Sequence, residues 1–216
     1  MNMPPDMVLF DCDGVLVDSE TLTASVLCAN LNRHGLEMTH ARLSEFFLGG
    51  TMMGVETRAK ELGADLPATW INDTYEEVFA ALDAAVEPIP GAADVLDALS
   101  RAGIPYAVGS NGPHRKMDIT LARTGLIGRL QGKVYSREDV PNPKPAPDLY
   151  LKAARDAGIA PERCVVIEDS PSGARAGVAA GMVCLGFARE TDPKRLEPIC
   201  DQLFFDMAEL PGLLGL

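Results

Sequence analysis

The amino-acid sequence predicts an α/β fold, a doubly wound parallel sheet with an inserted α-helical domain, and three observations lead to this prediction. The run Met7–Phe10 is apolar at every position, as in a parallel strand that is covered on both faces. After residue 91 the pattern alternates between helix and strand, which is the signature of a parallel sheet. Residues 19–86, which separate these two regions, have an almost wholly helical pattern.

The helical segment contains four predicted helices. The first ends at Gly35, a residue that suits the left-handed position after a helix. Thr39 is placed to cap the second helix with its hydroxyl. The third helix spans about 53–62 and stops at Gly63, and the fourth begins after Pro67.

The rest of the chain supplies the other strands and the helices that cover them. Predicted strands lie at about 105–109, 133–136, 164–168, 182–187 and 203–205. Predicted helices lie at 91–102, 113–124, 146–157 and 171–180. The predicted domains are therefore an α/β core of residues 1–16 and 88–216 and a helical insert of residues 17–87.

The first predicted strand leads directly into Asp11, Asp13 and Gly14. Ligands of open α/β sheets bind beyond the carboxyl ends of the strands, and Gly14 allows a sharp turn there. An aspartate in this position can act as a nucleophile toward phosphorus, and a second can act as general acid and base. An acidic turn without chemistry is the alternative, so the pair needs support from other parts of the chain.

Three more strand ends carry polar groups, two of which suit a phosphate. Ser110, Asn111 and Gly112 offer a hydroxyl and backbone amides to a phosphate oxygen. Lys144, just past the short run Val134–Tyr135, offers a point charge to the same group. A Ser-Asn-Gly sequence alone is more often a turn, and most isolated lysines are solvated. A doubly wound sheet nevertheless brings such strand ends to one crevice, so we predict that these groups form one site.

Glu168 and Asp169 follow the fourth of these apolar runs and add two carboxylates. Together with Asp11 and Asp13 they would repel one another strongly unless a cation lay among them. Oxygen ligands beside a phosphate point to Mg²⁺, which keeps several waters and needs only one or two carboxylates. We therefore predict Mg²⁺ as the cofactor, with these four acidic residues around it.

The residues that open the next predicted helix leave two interpretations open. His114, Arg115 and Lys116 directly follow the Ser-Asn-Gly loop and Pro113. They either reach a distal anionic group of the substrate or form a solvated helix face. The sequence does not separate these alternatives.

These four motifs, in this order, resemble the signatures of the haloacid dehalogenase-like hydrolases, in the branch that contains β-phosphoglucomutase and sugar-phosphate phosphatases. The likeness covers essentially the whole chain. The stretch Ser110–Pro113, followed by Lys116-Met117, is most similar to 6-phosphogluconate phosphatase-like members. The resemblance implies a Rossmann-like core and a helical cap that closes over the active site. The chain departs from the family at Pro143, where glycine is frequent, and this bears on the geometry of the Lys144 loop.

The resemblance also implies a role for each acidic residue. Asp11 is the nucleophile that becomes an aspartyl-phosphate. Asp13 is the general acid and base, and its backbone carbonyl binds Mg²⁺. Asp169 is a direct ligand of the metal, whereas Glu168 reaches it through water.

The predicted activity is that of a Mg²⁺-dependent phosphatase in carbohydrate metabolism that acts on a sugar or sugar-acid phosphate. A hexose phosphate mutase of the β-phosphoglucomutase type is the alternative. That mutase has an arginine for a second phosphate in the cap loop equivalent to Gly49-Gly50-Thr51-Met52, and no arginine stands there in this chain, which favours the phosphatase. A purely binding protein is disfavoured because every catalytic group is present.

Composition is consistent with such an enzyme. A chain of 216 residues, 47% of them hydrophobic, suits one core domain with a small insert. A net charge of −12 argues against nucleic-acid binding, so attraction of a phosphate ester must be local. Five cysteines without C-x-x-C spacing, and a start without a signal-peptide pattern, indicate free thiols in the cytoplasm. We expect a cytoplasmic monomer that binds a small-molecule phosphate ester, with no nucleic-acid or membrane partner.

Overall fold

The computed structural model describes residues 4–47 and 51–216. The chain divides into two compact units: a core unit of Met1–Asp18 with Glu87–Leu216, and a helical unit of Ser19–Val86. Two of the residues in the loop 49–52, Gly49 and Gly50, lie outside the described residues. The preference for a phosphatase over a mutase, which was drawn from the lack of an arginine in this loop, therefore stays a prediction from sequence.

The core unit is built on a six-stranded parallel sheet, and the predicted fold class is confirmed. The described strands are β1 (Met7–Phe10), β2 (Val17–Asp18), β3 (Glu87–Pro88), β4 (Tyr106–Ser110), β5 (Val134–Ser136), β6 (Cys164–Glu168), β7 (Val183–Phe187) and β8 (Gln202–Phe204). The sheet has the order β5-β4-β1-β6-β7-β8. Strand β1 therefore lies between β4 and β6, at the point where the strand order reverses and ligands bind in doubly wound sheets.

A short antiparallel ribbon lies where the chain leaves and re-enters the core unit. Val17 pairs with Pro88 and Asp18 with Glu87. The backbone N–H of Ile89 donates to the carbonyl of Leu16 at 2.9 Å and continues the pairing. The ribbon was not predicted, because strands of two residues carry no readable period. The first part of the core unit ends at residue 18 and the second part begins at residue 87, whereas the sequence predicted these boundaries at residues 16 and 88.

The helices agree with the sequence prediction except near the carboxyl terminus. The described α-helices are α1 (Glu20–Arg33), α2 (His40–Phe47), α3 (Met52–Glu61), α4 (Trp70–Ala85), α5 (Ala92–Ala102), α6 (His114–Arg123), α7 (Asp148–Ala157), α8 (Pro171–Ala179), α9 (Pro193–Leu196) and α10 (Leu210–Leu214). The short helices α9 and α10 were not predicted, since one turn gives too few positions for a periodic pattern.

The helical unit, α1 to α4, has its own apolar core. Leu31 and Ala59 are fully buried in it, and Trp70 is 1% exposed. The predicted signals at the helix ends are present, since Gly35 and Gly63 have φ of 88° and 97°. The Thr39 hydroxyl accepts from the backbone N–H of Arg42 at 3.3 Å.

None of the helices in the part of the chain that the structure describes combines the length and the apolar character needed to cross a bilayer.

Candidate active site

Three neighbouring strands end together and deliver polar side chains to one edge of the sheet. Asp11 directly follows β1, and its backbone N–H donates to the carbonyl of Ile167 in β6 at 2.9 Å. Ser110 is the last residue of β4 and Glu168 is the last residue of β6. All three side chains are buried although they are polar, with residue exposures of 8%, 2% and 0%. Buried polar groups are retained where they have partners or a function, so this edge is the candidate active site.

Lys144 connects the ends of β1 and β6. Its Nζ lies 2.5 Å from Asp11 Oδ1 and 2.7 Å from Glu168 Oε1. The lysine side chain is only 3% exposed, so these ion pairs are shielded from water. The structure thus brings together three residues that are separated by up to 157 positions in the sequence.

Burial and charge act in opposite directions on this ion pair. Burial raises the pKa of Asp11 to about 7, and the Lys144 ammonium acts against that rise. Burial by itself would lower the pKa of Lys144, but the carboxylates of Asp11 and Glu168 raise it above its usual range. The ammonium therefore stays charged, as the predicted contact of Lys144 with a phosphoryl group requires.

Both carboxylate oxygens of Glu168 are fully engaged by hydrogen bonds. Oε1 accepts from Tyr150 Oη at 2.9 Å as well as from Lys144. Oε2 accepts from the backbone N–H and the hydroxyl of Ser170, at 3.1 and 3.0 Å. A Cβ at Gly173 would lie 1.5 Å from Oε1, so only glycine leaves room for this carboxylate. Through these contacts Glu168 holds the Lys144 side chain in position. The water-mediated link between Glu168 and a metal ion stays a prediction.

Asn111 holds the lysine loop against the end of β4. Its side-chain amide donates to the Lys144 carbonyl at 2.9 Å, and its carbonyl oxygen accepts from the Lys144 backbone N–H at 2.9 Å. The sequence suggested only a backbone role for Asn111, so this paired contact was missed. The Lys144–Pro145 peptide bond within the loop is cis. The loop that carries Pro143 in place of the family's glycine thus still brings Lys144 to the site.

The Ser110 hydroxyl has a partner inside its own loop. Its Oγ accepts from the backbone N–H of Gly112 at 2.9 Å. The carbonyl of Gly112 in turn accepts from Ser136 Oγ at 2.8 Å, which joins this loop to the end of β5. Contacts of Ser110, Asn111 and Gly112 with a phosphate stay predictions. The hydroxyl hydrogen of Ser110 is not used in the contact with Gly112.

Asp13 pairs with a lysine from α6. Lys116 Nζ lies 2.8 Å from Asp13 Oδ1, and the two side chains are 17% and 23% exposed. Burial would lower the pKa of Lys116, but Asp13 raises it above its usual range. A Cβ at Gly112 would lie 3.8 Å from Asp13 Oδ2 and 3.2 Å from Ser110 Oγ, so these two polar groups face the same glycine.

Asp169 lies against the turn that follows Asp13. Gly14 has φ of 75°, and a Cβ there would stand 2.1 Å from Asp169 Oδ2. The glycine is therefore needed twice, for its left-handed backbone and for the space that the carboxylate occupies. This close approach brings the Asp169 carboxylate, which is 7% exposed as a residue, to the loop that carries Asp11 and Asp13.

The side chains can be tested for their fit to a metal ion. Among the described residues, no three Asp, Glu, His or Cys side chains surround a common point as they would around an enclosed ion. Mg²⁺ does not require such a cage, since it is usually held by one or two carboxylates together with waters. The carboxylate of Asp169, seated where a Cβ on Gly14 would stand, fits that mode of binding. The metal-ligand predictions for Asp11, Asp13, Asp169 and Glu168 stay predictions.

At the start of α6, Arg115 is exposed and the His114 side chain is 40% exposed, so the two open interpretations of this segment stay predictions. Lys116 faces Asp13, as described above. His114 Nε2 lies 2.9 Å from the Asp139 carboxylate, and the His114 backbone N–H donates to Glu138 Oε2 at 3.0 Å. Sequence reasoning missed the contact between Lys116 and Asp13, and it missed Tyr150 altogether. A buried tyrosine in an amphipathic helix looks like an ordinary core residue until its hydroxyl partner is known.

Comparison with known proteins places these observations in a family. A family model described as haloacid dehalogenase-like hydrolase matches residues 5–181. Hexitol phosphatase A of Escherichia coli K12 is 33% identical over 195 residues, which cover 88% of this chain and 87% of that protein. The 6-phosphogluconate phosphatase of the same organism is 29% identical over 210 residues, which cover 96% of this chain and 94% of that protein.

A solved structure shows the same fold. The family hydrolase from Deinococcus radiodurans R1, determined with bound phosphate and sodium, superposes with a TM-score of 0.84 and 35% identity. The match covers 98% of this chain and 96% of that one. The fold similarity therefore extends across the chain rather than being confined to the sheet.

Proposed function

The chain belongs to the haloacid dehalogenase-like hydrolases, and from that premise we propose that it is a Mg²⁺-dependent phosphatase of a small sugar or sugar-acid phosphate. The observation that carries the proposal is the buried contact of Lys144 with Asp11, 2.5 Å apart, at the end of the central strand. The contact supports the proposal because the carboxylate that we propose as the nucleophile lies beside a positive charge of the kind that suits a phosphoryl group.

In the proposed reaction the Asp11 carboxylate attacks phosphorus and the bond between phosphorus and the leaving oxygen breaks. Asp13 gives its proton to that oxygen, and the product is an alcohol and an aspartyl-phosphate. Asp13 then takes a proton from water, whose oxygen attacks phosphorus and breaks the bond to Asp11. Inorganic phosphate leaves, and both aspartates return to their starting state. Lys144 and the Ser110 hydroxyl hold the phosphoryl oxygens throughout.

The charges of the site support a divalent cation. Asp11 and Glu168 pair with Lys144, and Asp13 pairs with Lys116, so the four acidic side chains of the site outnumber its two ammonium groups. This excess of acidic groups suits a bound cation. We propose that Asp11 and Asp169 hold the ion with their carboxylates and Asp13 with its backbone carbonyl. When bound, Mg²⁺ neutralises charge on the transferring phosphoryl group.

The substrate class is proposed from the relatives. The two Escherichia coli proteins are named for a hexitol phosphate and for 6-phosphogluconate, a sugar alcohol and a sugar acid. We propose a substrate of this polyhydroxylated class. We further propose that the helical unit acts as the cap that selects the substrate, and that the enzyme works as a monomer. We also propose that it works in the cytoplasm, which fits five cysteines without a disulfide.

The test is a screen of phosphate release from sugar, sugar-acid, nucleotide and glycolate phosphates with and without Mg²⁺. We expect release from a sugar or sugar-acid phosphate, and loss of that activity after chelation and its return with Mg²⁺. Full activity after exhaustive chelation would contradict the metal requirement. Release from nucleotides alone would contradict the substrate class.

One assay separates the phosphatase from the mutase. The protein is incubated with β-glucose 1-phosphate and a trace of the 1,6-bisphosphate. The phosphatase proposal expects inorganic phosphate without stimulation by the bisphosphate. Glucose 6-phosphate that accumulates faster than free phosphate would instead establish the mutase.

A further inference from the structure

Two cysteines meet at the edge of the sheet that lies beyond Glu168. Cys184 lies in β7 and Cys200 lies just before β8, sixteen positions later. Their sulfur atoms are 3.8 Å apart, and neither forms a disulfide. The sequence predicted free thiols, and its spacing gave no sign that two of them are in contact.

The backbone around the two sulfurs is held in place by hydrogen bonds. The backbone N–H of Asp201 donates to the carbonyl of Cys184 at 2.9 Å. The backbone N–H of Cys184 donates to the carboxylate of Asp201 at 2.8 Å. These reciprocal bonds tie the residue after Cys200 directly to Cys184. The backbone segments that carry the two thiols are therefore held side by side, next to the point where the pairing of β7 with β8 begins.

The two thiols differ in environment. Cys184 is fully buried in the apolar core of the sheet, whereas Cys200 is partly exposed. The contact with Cys184 lowers the pKa of Cys200, and the same contact together with burial raises the pKa of Cys184. Cys200 is thus the more exposed thiol and the one whose pKa is lowered, and a second thiol lies next to it.

We propose that Cys184 and Cys200 form a reversible disulfide when the protein meets a hydroperoxide. The Cys200 thiolate attacks one oxygen of the hydroperoxide and becomes a sulfenic acid, and the O–O bond breaks with release of water or an alcohol after protonation. The Cys184 sulfur then attacks the sulfenic sulfur, the S–O bond breaks, and the second product is water. Two thiols are oxidised and one hydroperoxide is reduced. A dithiol reductant reverses the step by exchange.

The disulfide would tie the segment that contains α9 to β7. The segment between the two cysteines contains α9, and the chain continues from Cys200 into the edge strand β8, which begins two residues later. A covalent link there closes a short loop at the edge of the core unit. It leaves Asp11, Lys144 and the other residues of the candidate active site unmodified. The proposal does not depend on the proposed phosphatase activity, since its measurements are of thiols.

The test counts thiols in the full chain after treatment with hydrogen peroxide. We expect the five free thiols of the untreated protein to fall to three, and a dithiol reductant to restore five. Digestion without reduction should give one cross-linked pair of peptides that contains Cys184 and Cys200. Five unchanged thiols, a cross-link to any other cysteine, or a disulfide between two chains would overturn the proposal.

Single substitutions separate the two roles. Cys200→Ser should keep its four remaining thiols under the same treatment. Cys184→Ala should leave a sulfenic acid on Cys200 that a dimedone-type reagent traps, because no second thiol resolves it. The matched control Cys28→Ser, in the helical unit, should fall from four thiols to two as the disulfide forms. Trapping of the sulfenic acid on a cysteine other than Cys200 in the Cys184→Ala protein would contradict the proposed order of attack.

Discussion

The core unit and the helical unit bury polar side chains in different ways. In the core unit, five buried polar side chains among the described residues lie at or just after a strand end: Asp11, Ser110, Ser136, Glu168 and Asp169. Lys144 reaches the same edge from the loop beyond β5, and Thr120 lies in α6. In the helical unit the buried polar residues are Ser19, Asn30 and Thr74. Those in the core unit, apart from Thr120, lie at the sheet edge where ligands bind, whereas Asn30 in the helical unit accepts a hydrogen bond from Trp70 Nε1 of the same unit at 2.6 Å.

The ion pairs of the two units differ in the same way. Lys144 and its two carboxylate partners are between 0% and 12% exposed as side chains. The pair of Arg33 and Glu77 in the helical unit is 53% and 41% exposed. A buried pair is costly to form and costly to break, whereas an exposed pair changes stability by less than about 1 kcal/mol. Although the contact distances are similar, we therefore expect the loss of one charge to change stability strongly at the sheet edge and weakly in the helical unit.

The largest expected effect on turnover comes from Asp11→Asn. Asparagine is not a nucleophile toward phosphorus, so we expect the turnover number to fall by at least about 10⁴-fold. The fold should remain, because one charge is removed from a cluster of carboxylates and Lys144 keeps its contact with Glu168. Steady-state kinetics and circular dichroism measure the two properties.

The matched control is Asp83→Asn, an exposed aspartate in the helical unit. It should leave both turnover and unfolding unchanged. A folded Asp11→Asn protein that keeps substantial activity would exclude Asp11 as the nucleophile.

Lys144→Met tests the difference between buried and exposed ion pairs, and it should change both stability and activity. It leaves the carboxylates of Asp11 and Glu168 buried without their shared cation, so we expect the free energy of unfolding to fall by about 3–5 kcal/mol. Turnover should fall by about 10²–10³-fold because the phosphoryl group loses a positive charge. Denaturant unfolding and kinetics are the measurements.

Lys60→Met is the control for Lys144→Met, since Lys60 forms an ion pair with Glu56 in the helical unit while its side chain is 48% exposed. We expect it to change stability by less than about 0.5 kcal/mol. If both lysine variants lost the same stability, the distinction between buried and exposed pairs would not hold for this protein.

The strand ends were predictable from sequence for a simple physical reason. A parallel strand buried on both faces must be apolar throughout, so the first polar residue after the run marks the edge of the sheet. Asp11 and Ser110 follow this rule, and so do Glu168 and Asp169. Each predicted strand of the main sheet lies within one residue of its observed position, and each helix of the core unit that was predicted lies within two.

The contacts that hold the site together were not predictable in the same way. Lys116 and Tyr150 reach their partners from helices, where the direction of a side chain depends on how the helix packs against the sheet. The paired hydrogen bonds between Asn111 and Lys144 span 33 positions, and no local pattern encodes them. The contact of Cys184 with Cys200 depends on how the chain returns to the sheet after α9, which no local pattern of the sequence reveals.

A smaller effect is expected from Thr74→Val in the helical unit. Thr74 is fully buried in α4, and its hydroxyl has no hydrogen-bond partner within the described part of the chain. Valine keeps the shape and removes the unsatisfied group, so we expect the free energy of unfolding to rise by about 1 kcal/mol. Turnover should not change. Thermal or denaturant unfolding measures the gain, and a loss of stability would show that the hydroxyl has a partner in solution, such as a buried water.

The smallest effect is expected at the exposed pair of Arg33 and Glu77. Arg33 Nη2 lies 2.5 Å from one carboxylate oxygen of Glu77 and 2.6 Å from the other, so its geometry is as close as that of the buried pair in the core unit. Glu77 also accepts from Asn30 at 3.3 Å, and glutamine at position 77 keeps an acceptor for that bond. A double-mutant cycle of Arg33→Gln and Glu77→Gln therefore isolates the charge interaction. We expect a coupling of about 0.2–1 kcal/mol in denaturant unfolding, which shrinks in 1 M salt because exposed charges are screened. A coupling above about 2 kcal/mol that salt does not reduce would mean that this exposed pair behaves like the buried one. The difference in exposure would then not explain how the ion pairs of the two units contribute to stability.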